Sequence, residues 1–174
     1  DIFGTLDILV NNAGISIRTA VDEMTEEEWD RILTINLKSA YFFSKEAARL
    51  MKAKRTGVII NISSIRAVIA DKNHVGYAIT KAGMIALTKS LAVSLAEFGI
   101  RANAVMPGYV LTPMTEHNLS NSQWLEWLRG KVPMGRLIEM QEVVEVVVFL
   151  ASQKASGITG ESIVVDGGWL VNGC

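Results

Sequence analysis

"GVIINIS", residues 57–63, is a short and almost entirely apolar segment that ends in polar residues, and it decides the fold class. Three similar segments occur elsewhere: LDILV from residue 6, IRANAV from residue 100 and SIVVDGG from residue 162. Such runs are typical of strands that are buried on both faces, and helical patterns separate them. The sequence therefore predicts an α/β fold with a parallel, doubly wound sheet that helices cover on both sides.

The helices are predicted from their periodicity and their end signals. They run over 25–51, 77–98 and 140–151. Thr25, with Glu28 three residues later, has the pattern of a capping box, and Gly99 is placed where a glycine ends the second helix. Ligands of open parallel sheets bind beyond the carboxyl ends of the strands, so we expect the functional residues there.

Composition indicates an ordinary folded domain. The chain has 174 residues, 49% of them hydrophobic and 20% charged, which predicts one domain over 1–174. The formal net charge of -1 shows no basic excess, so neither nucleic acid nor an anionic membrane is expected as a partner. The single cysteine, Cys174, fits a reducing compartment. No uninterrupted apolar run reaches the roughly 18 residues of a membrane span, and no secretory signal pattern is present, so we expect a cytoplasmic protein.

Tyr77 and Lys81 stand four residues apart at the start of the second helix, in GYAITKAG. One helical turn separates them, so both side chains project from the same face, as they also would on an ordinary exposed surface. A phenol has an unperturbed pKa near ~10, and an adjacent ammonium lowers that pKa by stabilising the phenolate. Tyr77 would then serve as an acid or base, while Ser63 or Ser64 holds the substrate oxygen.

Five motifs occur in an order and spacing that resemble the short-chain dehydrogenase/reductase family. They are NNAG at 11–14, NISS at 61–64, Tyr77-x-x-x-Lys81, PG at 107–108 and VDGG at 165–168. Each motif alone is weak, but all five together are specific and cover essentially the whole chain. The resemblance implies an oxidoreductase with a Rossmann-type domain that binds NAD or NADP, and these residues would be its C-terminal portion. No metal is expected.

The resemblance also implies the roles of the catalytic residues. Ser64 rather than Ser63 would bind the substrate oxygen. Tyr77 would give or take the hydroxyl proton, and Lys81 would lower the pKa of Tyr77 and hold the nicotinamide ribose. Asn36 matches a helix asparagine that holds a water linking the lysine to solvent. The alternative for Asn36 is a helix residue whose side chain is satisfied by its own backbone.

Further residues are implied to bind the cofactor. Besides Tyr77 and Lys81 they are Asn12, Ala13, Gly14, Pro107, Gly108, Val110 and Thr112. The first three resemble the turn along the adenosine, the next three match the loop against the nicotinamide, and Thr112 is expected to reach the phosphates. The family's glycine-rich phosphate loop does not occur in this sequence, which begins at what resembles the fourth strand. The choice between NAD and NADP therefore stays open.

The segment 111–136 resembles the family's variable substrate lid. Trp124 and Trp127 have helical spacing there and could close on a ligand, although tryptophans at that spacing also pack into cores or subunit contacts. Arg66 and His74 lie between the serine pair and Tyr77, and an arginine suits a carboxylate.

Three functions are compatible with these patterns. PGYVLTPMT and WLEWLRGKVPMGR look most like the sugar, polyol and sugar-acid dehydrogenases, such as gluconate 5-dehydrogenase, which implies a small-molecule substrate. A 3-oxoacyl-carrier-protein reductase is the alternative; Arg55 matches one of its two basic docking residues, but Phe98 occupies the other. A catalytically silent scaffold is disfavoured because Tyr77 and Lys81 are both present. The resemblance further implies a homo-oligomer, either a tetramer or a dimer.

Overall fold

The computed structural model describes residues 4–112, 115 and 120–172, so Cys174 lies outside the described residues. Four strands form one sheet: β1 (Ile8–Asn11), β2 (Gly57–Ile62), β3 (Ile100–Pro107) and β4 (Ser162–Val165). They lie side by side in chain order, and each pair is parallel. The predicted parallel α/β fold is confirmed.

Helices connect these strands. They are α1 (Glu26–Leu33), a π-helical turn (Thr34–Lys38), α2 (Ser39–Lys54), α3 (Val75–Leu95), α4 (Ser122–Lys131) and α5 (Met140–Ala151). Short 3₁₀ turns lie at Ile65–Ala67, Ala96–Phe98, Gln153–Ala155 and Trp169–Val171. The three helical segments predicted from the sequence are confirmed to within about one turn.

The end signals act as predicted. The N–H of Glu28 donates to the Thr25 hydroxyl, and the N–H of Thr25 donates to the Glu28 carboxylate, each at 3.2 Å. Gly99 follows α3 and its 3₁₀ extension with φ of 70°. A Cβ at that position would lie 2.6 Å from the Arg55 carbonyl oxygen, so only glycine fits both the backbone conformation and the space.

Two apolar layers enclose the sheet. Successive side chains of a strand point to opposite faces. Ile59 therefore packs with Met51 and Leu95, on the side of α2 and α3, whereas Ile60 packs with Leu150 on the side of α5. Both isoleucines are fully buried, and this double burial explains why β2 is apolar along nearly its whole length.

The segment Val75–Phe98 is long and apolar enough to cross a membrane by length and mean hydropathy, although it contains no uninterrupted apolar run of that length. In this structure α3 packs against β3 and buries the polar side chains of Thr80, Lys81 and Thr88. A core helix of a folded domain passes the same test, so the segment alone does not indicate a membrane.

Candidate active site

The serine pair at the end of β2 separates into two environments. The Ser63 hydroxyl donates to the Lys81 carbonyl at 2.8 Å, and its N–H donates to the Val105 carbonyl at 2.8 Å. Ser64 begins the 3₁₀ turn that follows, where its hydroxyl accepts the N–H of Arg66 at 3.1 Å. Ser63 thus ties β2 to α3 and β3, whereas Ser64 faces the open end of the sheet, where ligands bind in this class of fold.

Ser64, Tyr77 and Lys81 come together at this edge. Ser64 and Tyr77 line the same two pockets at this edge, and the Ser64 hydroxyl acts to lower the pKa of the Tyr77 phenol. The Lys81 ammonium lies 5.5 Å from the centre of the Tyr77 ring and donates to the Ile62 carbonyl at 2.8 Å. The one-turn spacing on α3 therefore brings phenol and ammonium to one side of the helix, and the end of β2 brings a hydroxyl to the phenol.

The electrostatics of the pair differ from the expectation. Burial raises the pKa of Tyr77, while the Ser64 hydrogen bond and the Arg66 charge oppose that rise. Burial also lowers the pKa of Lys81 to about 8. The predicted lowering of the Tyr77 pKa by Lys81 is therefore wrong for this structure: desolvation dominates, and it destabilises the charge of the lysine itself.

Asn36 lies in the π-helical turn and is fully buried. Its amide accepts the N–H of Ile15 at 2.8 Å and donates to the Ile15 carbonyl at 2.9 Å and to the Thr80 hydroxyl at 3.1 Å. These partners belong to other elements, so the alternative in which the side chain is satisfied by its own helix is wrong. A Cβ on Gly14 would lie 3.5 Å from both the Asn36 amide oxygen and the Lys81 ammonium, which places this turn beside both groups.

A cavity of about 590 Å³ holds most of the residues that the resemblance assigns to the cofactor. We call it the larger cavity. Those residues are Asn12, Gly14, Tyr77, Lys81, Pro107, Gly108, Val110 and Thr112, and Ser64 also lines it. Ala13 is exposed between Asn12 and Gly14 and is not among the lining residues. Three valines of α5, Val143, Val144 and Val147, form an apolar wall that the sequence analysis missed.

The VDGG motif holds the loop that carries Gly108. The Asp166 carboxylate accepts the N–H groups of Gly168 and Leu170, each at 2.8 Å, and the N–H of Gly108 donates to the Val165 carbonyl at 2.9 Å. A Cβ on Gly108 would lie 2.8 Å from the Asp166 Cα. Glycine is therefore required for the close approach of these two backbones, and their contact positions the wall of the larger cavity.

A second cavity, of about 250 Å³, also reaches Ser64 and Tyr77, and we call it the smaller cavity. Arg66, His74 and Trp124 line it, as the sequence suggests. Arg18, Asp71 and Tyr109 line it too, and the sequence analysis missed all three because they come from separate loops.

The predicted lid is placed only in part. Within 111–136, residues 113, 114 and 116–119 lie outside the described residues. Helix α4 supplies Trp124, whose ring meets Tyr109 edge-on at 5.9 Å. Trp127 is half exposed, packs on Trp169 at 5.7 Å and does not line the smaller cavity. The structure therefore brings one of the two tryptophans to the site.

Comparisons with known proteins agree with this architecture. The family model described as enoyl-(acyl carrier protein) reductase matches residues 1–170. The chain is 38% identical over 169 residues to the 3-oxoacyl-acyl-carrier-protein reductase of Thermotoga maritima, covering 97% of this chain and 68% of that protein. It is 42% identical over 171 residues to the L-rhamnose 1-dehydrogenase (NAD(P)(+)) of Azotobacter vinelandii, covering 98% and 67%.

A solved structure is similar along nearly the whole chain. It is the gluconate 5-dehydrogenase of Burkholderia cenocepacia in complex with NADP and tartrate, with a TM-score of 0.94 and 34% identity. The alignment covers 97% of this chain and 66% of that one. The chain thus spans about two thirds of the length of these relatives.

Proposed function

Since this chain belongs to the short-chain dehydrogenase/reductase family, we propose that it carries the active site of an NAD(P)-dependent oxidoreductase that acts on a secondary alcohol or ketone. The observation that carries this proposal is the convergence of Ser64, Tyr77 and Lys81: all three line the larger cavity, and Ser64 and Tyr77 also line the smaller one. A hydroxyl, a phenol and an ammonium in one cleft are suited to proton transfer at an alcohol oxygen.

The residues of the larger cavity fit a nicotinamide cofactor. The Lys81 ammonium has three donors, and within the described residues one carbonyl accepts from it, which leaves donors for ribose hydroxyls. Gly14 and Gly108 line the cavity, and the α5 valines offer an apolar wall to a flat ring. When bound, the cofactor supplies or accepts the hydride.

The side chains of the protein carry out the proton transfer. Ser64 would hold the substrate oxygen, and the Tyr77 phenol would give its proton to that oxygen or take it back. The raised pKa of Tyr77 keeps the phenol protonated at neutral pH, which suits proton donation to a ketone. Asn36, beside Lys81, would hold a water that links the lysine to solvent.

We propose a sugar, a polyol or a sugar acid as the substrate. The smaller cavity supports a small molecule, because its volume of about 250 Å³ is below the roughly 300–1,000 Å³ of pockets for drug-sized ligands. Two of the similar proteins carry the names of an L-rhamnose and a gluconate dehydrogenase, and tartrate lies in the structure of the latter.

The alternative is reduction of a 3-oxoacyl-acyl-carrier-protein, which is supported by the similarity to the Thermotoga enzyme. Docking of an acidic carrier would need basic side chains at Arg55 and at position 98. Arg55 already donates to the Glu97 carbonyl at 2.5 Å, and Phe98 lies under Lys52 at 4.2 Å. Because residue 98 is a phenylalanine and not a basic residue, we favour the small polar substrate.

The remaining proposals follow from the family. Residues 1–174 would belong to a single NAD(P)-binding domain, 111–136 would act as its substrate lid, and the protein would be a cytoplasmic homo-oligomer, a dimer or a tetramer. Light scattering of the purified full-length protein measures the last of these directly.

The test of the function is an absorbance assay of NAD(P)H with the full-length protein. The panel contains ketoses, polyols, sugar acids and 3-oxoacyl thioesters. We expect turnover within the sugar and polyol group and a loss of at least about 100-fold in Tyr77→Phe, whereas Tyr41→Phe, on an exposed ring, serves as the matched control. Absence of turnover with the whole panel, or full activity in Tyr77→Phe, contradicts the proposal.

A further inference from the structure

The smaller cavity carries a charge that the proposed proton transfer does not use. Among the described residues that line it, Arg18 and Arg66 are cationic and Asp71 is the single carboxylate. We propose that this cavity binds a carboxylate, so that the substrate is a hydroxy acid or the matching oxo acid, with its acid group on the two arginines and its reacting oxygen on Ser64 and Tyr77. This inference rests on the proposed function and names its substrate class.

Arg66 is anchored yet keeps donors for a ligand. Its Nη2 lies 2.8 Å from the Asp71 carboxylate and donates to the Tyr109 hydroxyl, and the guanidinium carbon lies 5.4 Å from the centre of the Tyr109 ring. Both contacts use the same nitrogen. Nε and Nη1 have no partner within the described residues, so each keeps an N–H group that can donate to a ligand carboxylate.

Arg18 is the second arginine that lines the smaller cavity. Its side chain is exposed at the rim, and in the described part of the chain no hydrogen bond or ion pair involves it. Its charge nevertheless acts on His74 and Tyr109, since it opposes the protonation of the one and favours the ionisation of the other. Arg18 lines the same cavity as these two side chains, so its guanidinium is available to a ligand that lies between them.

The balance of charge favours a carboxylate over a phosphate. Two guanidinium groups face one carboxylate, and His74 is neutral at neutral pH because burial lowers its pKa. The cavity therefore carries one excess positive charge among its described lining residues. A carboxylate supplies one negative charge, whereas a phosphate monoester brings roughly 1.5 to 2.

Asp71 positions the arginine. One carboxylate oxygen lies 2.8 Å from Arg66 Nη2 and 3.0 Å from His74 Nδ1, so Asp71 pairs with Arg66 and lies beside His74 in the wall. Trp124 and Tyr109 meet edge-on at 5.9 Å and give the carbon skeleton of a ligand an aromatic surface to pack against.

The experiment compares substrates that differ only at the acid group. With the full-length protein, kcat/KM is measured for gluconate, for glucitol, its polyol counterpart, and for glucitol 1-phosphate, which carries a phosphate on C1 in place of the carboxylate. We expect gluconate to exceed glucitol by about tenfold or more, and Arg18→Gln and Arg66→Gln each to reduce that ratio by about tenfold. Arg66→Lys keeps the charge but replaces the separate Nε and Nη1 donors by a single ammonium, so it should give an intermediate ratio.

The control is Arg49→Gln, an exposed arginine on α2 that is far along the chain from the site and pairs with Glu46. Its acid-to-polyol ratio should equal that of the unmodified protein. Arg18 is exposed, so we expect Arg18→Gln to leave the packing of the protein interior unchanged. Calorimetric titration with gluconate adds a readout that needs no turnover.

The outcomes separate the two proposals. Equal kcat/KM for gluconate and glucitol, or ratios that Arg18→Gln and Arg66→Gln leave unchanged, overturns the carboxylate site while the oxidoreductase stands. A preference for glucitol 1-phosphate over gluconate overturns it as well. If neither the acid nor the polyol is turned over, the proposed function is overturned. In that case the calorimetric titration still tests the carboxylate site, which is overturned if Arg18→Gln does not weaken the binding of gluconate.

Discussion

The larger and the smaller cavity share Ser64 and Tyr77 but are built from different material. Strand ends, Gly14, Lys81 and a wall of three α5 valines line the larger cavity, so regular secondary structure contributes most of its shape. Loop side chains that carry charge or aromatic rings make the smaller cavity. The difference indicates that the reaction is fixed by the sheet, whereas the choice of substrate depends on loops that can change without disturbing it.

The support behind the two cavities differs in the same way. Behind the end of β2, the Asn61 amide accepts from Asn11 and donates to the Thr88 hydroxyl, each at 2.8 Å, and Asn61 is fully buried. Asn11 also donates to the Ser44 hydroxyl at 3.0 Å. This buried network joins two strands and two helices. The Arg66 and Asp71 pair has no such enclosure, because Asp71 remains partly exposed.

The largest effect is expected from the removal of Lys81, the one charged side chain among the described residues that line the larger cavity. Lys81→Met removes the ammonium beside Tyr77 and the donors proposed for the cofactor. We expect kcat to fall by about 10²-fold or more, because the cofactor loses the donors that would position it for the reaction. Lys89→Met, an exposed lysine on the same helix, is the matched control. Retention of full activity in Lys81→Met would remove the lysine from the proposed mechanism.

The same lysine makes stability depend on pH. Its pKa is about 8 in the folded protein against 10.5 in the unfolded chain, so below pH 8 it is charged in both states and its burial costs stability. Between pH 8 and 10.5 the unfolded state binds more protons, and stability therefore rises with pH. The full gain is on the order of 3 kcal/mol.

Urea unfolding at pH 7, 8, 9 and 9.5 measures this effect. The series stops there because burial raises the pKa of Tyr77 and of Tyr109, which destabilises the folded state relative to the unfolded one at higher pH. The rise should be absent from Lys81→Met. Parallel curves for the two proteins would show that the lysine is not desolvated.

The residues of the larger cavity could be predicted from the sequence because short, local sequence patterns place them. Apolar runs that end in polar residues predict strand ends, and the one-turn spacing of Tyr77 and Lys81 predicts a shared helix face. Ser64, Gly14 and Gly108 follow from motifs at those ends. Each of these residues lies within a few positions of the feature that predicts it.

The rest depends on contacts between distant segments. Arg18, Asp71 and Tyr109 meet through three loops with no fixed spacing, so no sequence pattern relates them. The residues of the π-helical turn that buries Asn36 do not differ in composition from those of an ordinary helix, so the sequence does not predict this turn. The spacing of Trp124 and Trp127 predicts a helix, but which tryptophan faces the site depends on how α4 packs.

The next effect in size tests the support of the larger cavity. Asn61→Ala leaves the amide of Asn11 and the hydroxyl of Thr88 without their shared partner in a buried site. We expect the free energy of unfolding to fall by about 2–3 kcal/mol, measured in urea. Asn172→Ala, which changes an exposed asparagine, should stay within about 0.5 kcal/mol. Equal losses in the two variants would contradict the importance of the buried network.

The smallest expected effect is the difference in KM between alanine variants of two tryptophans, one that lines the smaller cavity and one that does not. Trp124 and Trp127 lie on one helix, and each meets one aromatic ring edge-on, Tyr109 at 5.9 Å and Trp169 at 5.7 Å, so their alanine variants lose comparable contacts. Only Trp124 lines the cavity. Trp124→Ala should raise KM by about tenfold, or about 1.4 kcal/mol, with a smaller change in kcat. Trp127→Ala should change KM by less than about twofold, since its loss falls on packing outside the cavity. Steady-state kinetics on one substrate gives both values, and an equal rise in KM would mean that α4 acts through its packing as a whole rather than through the one tryptophan that faces the ligand.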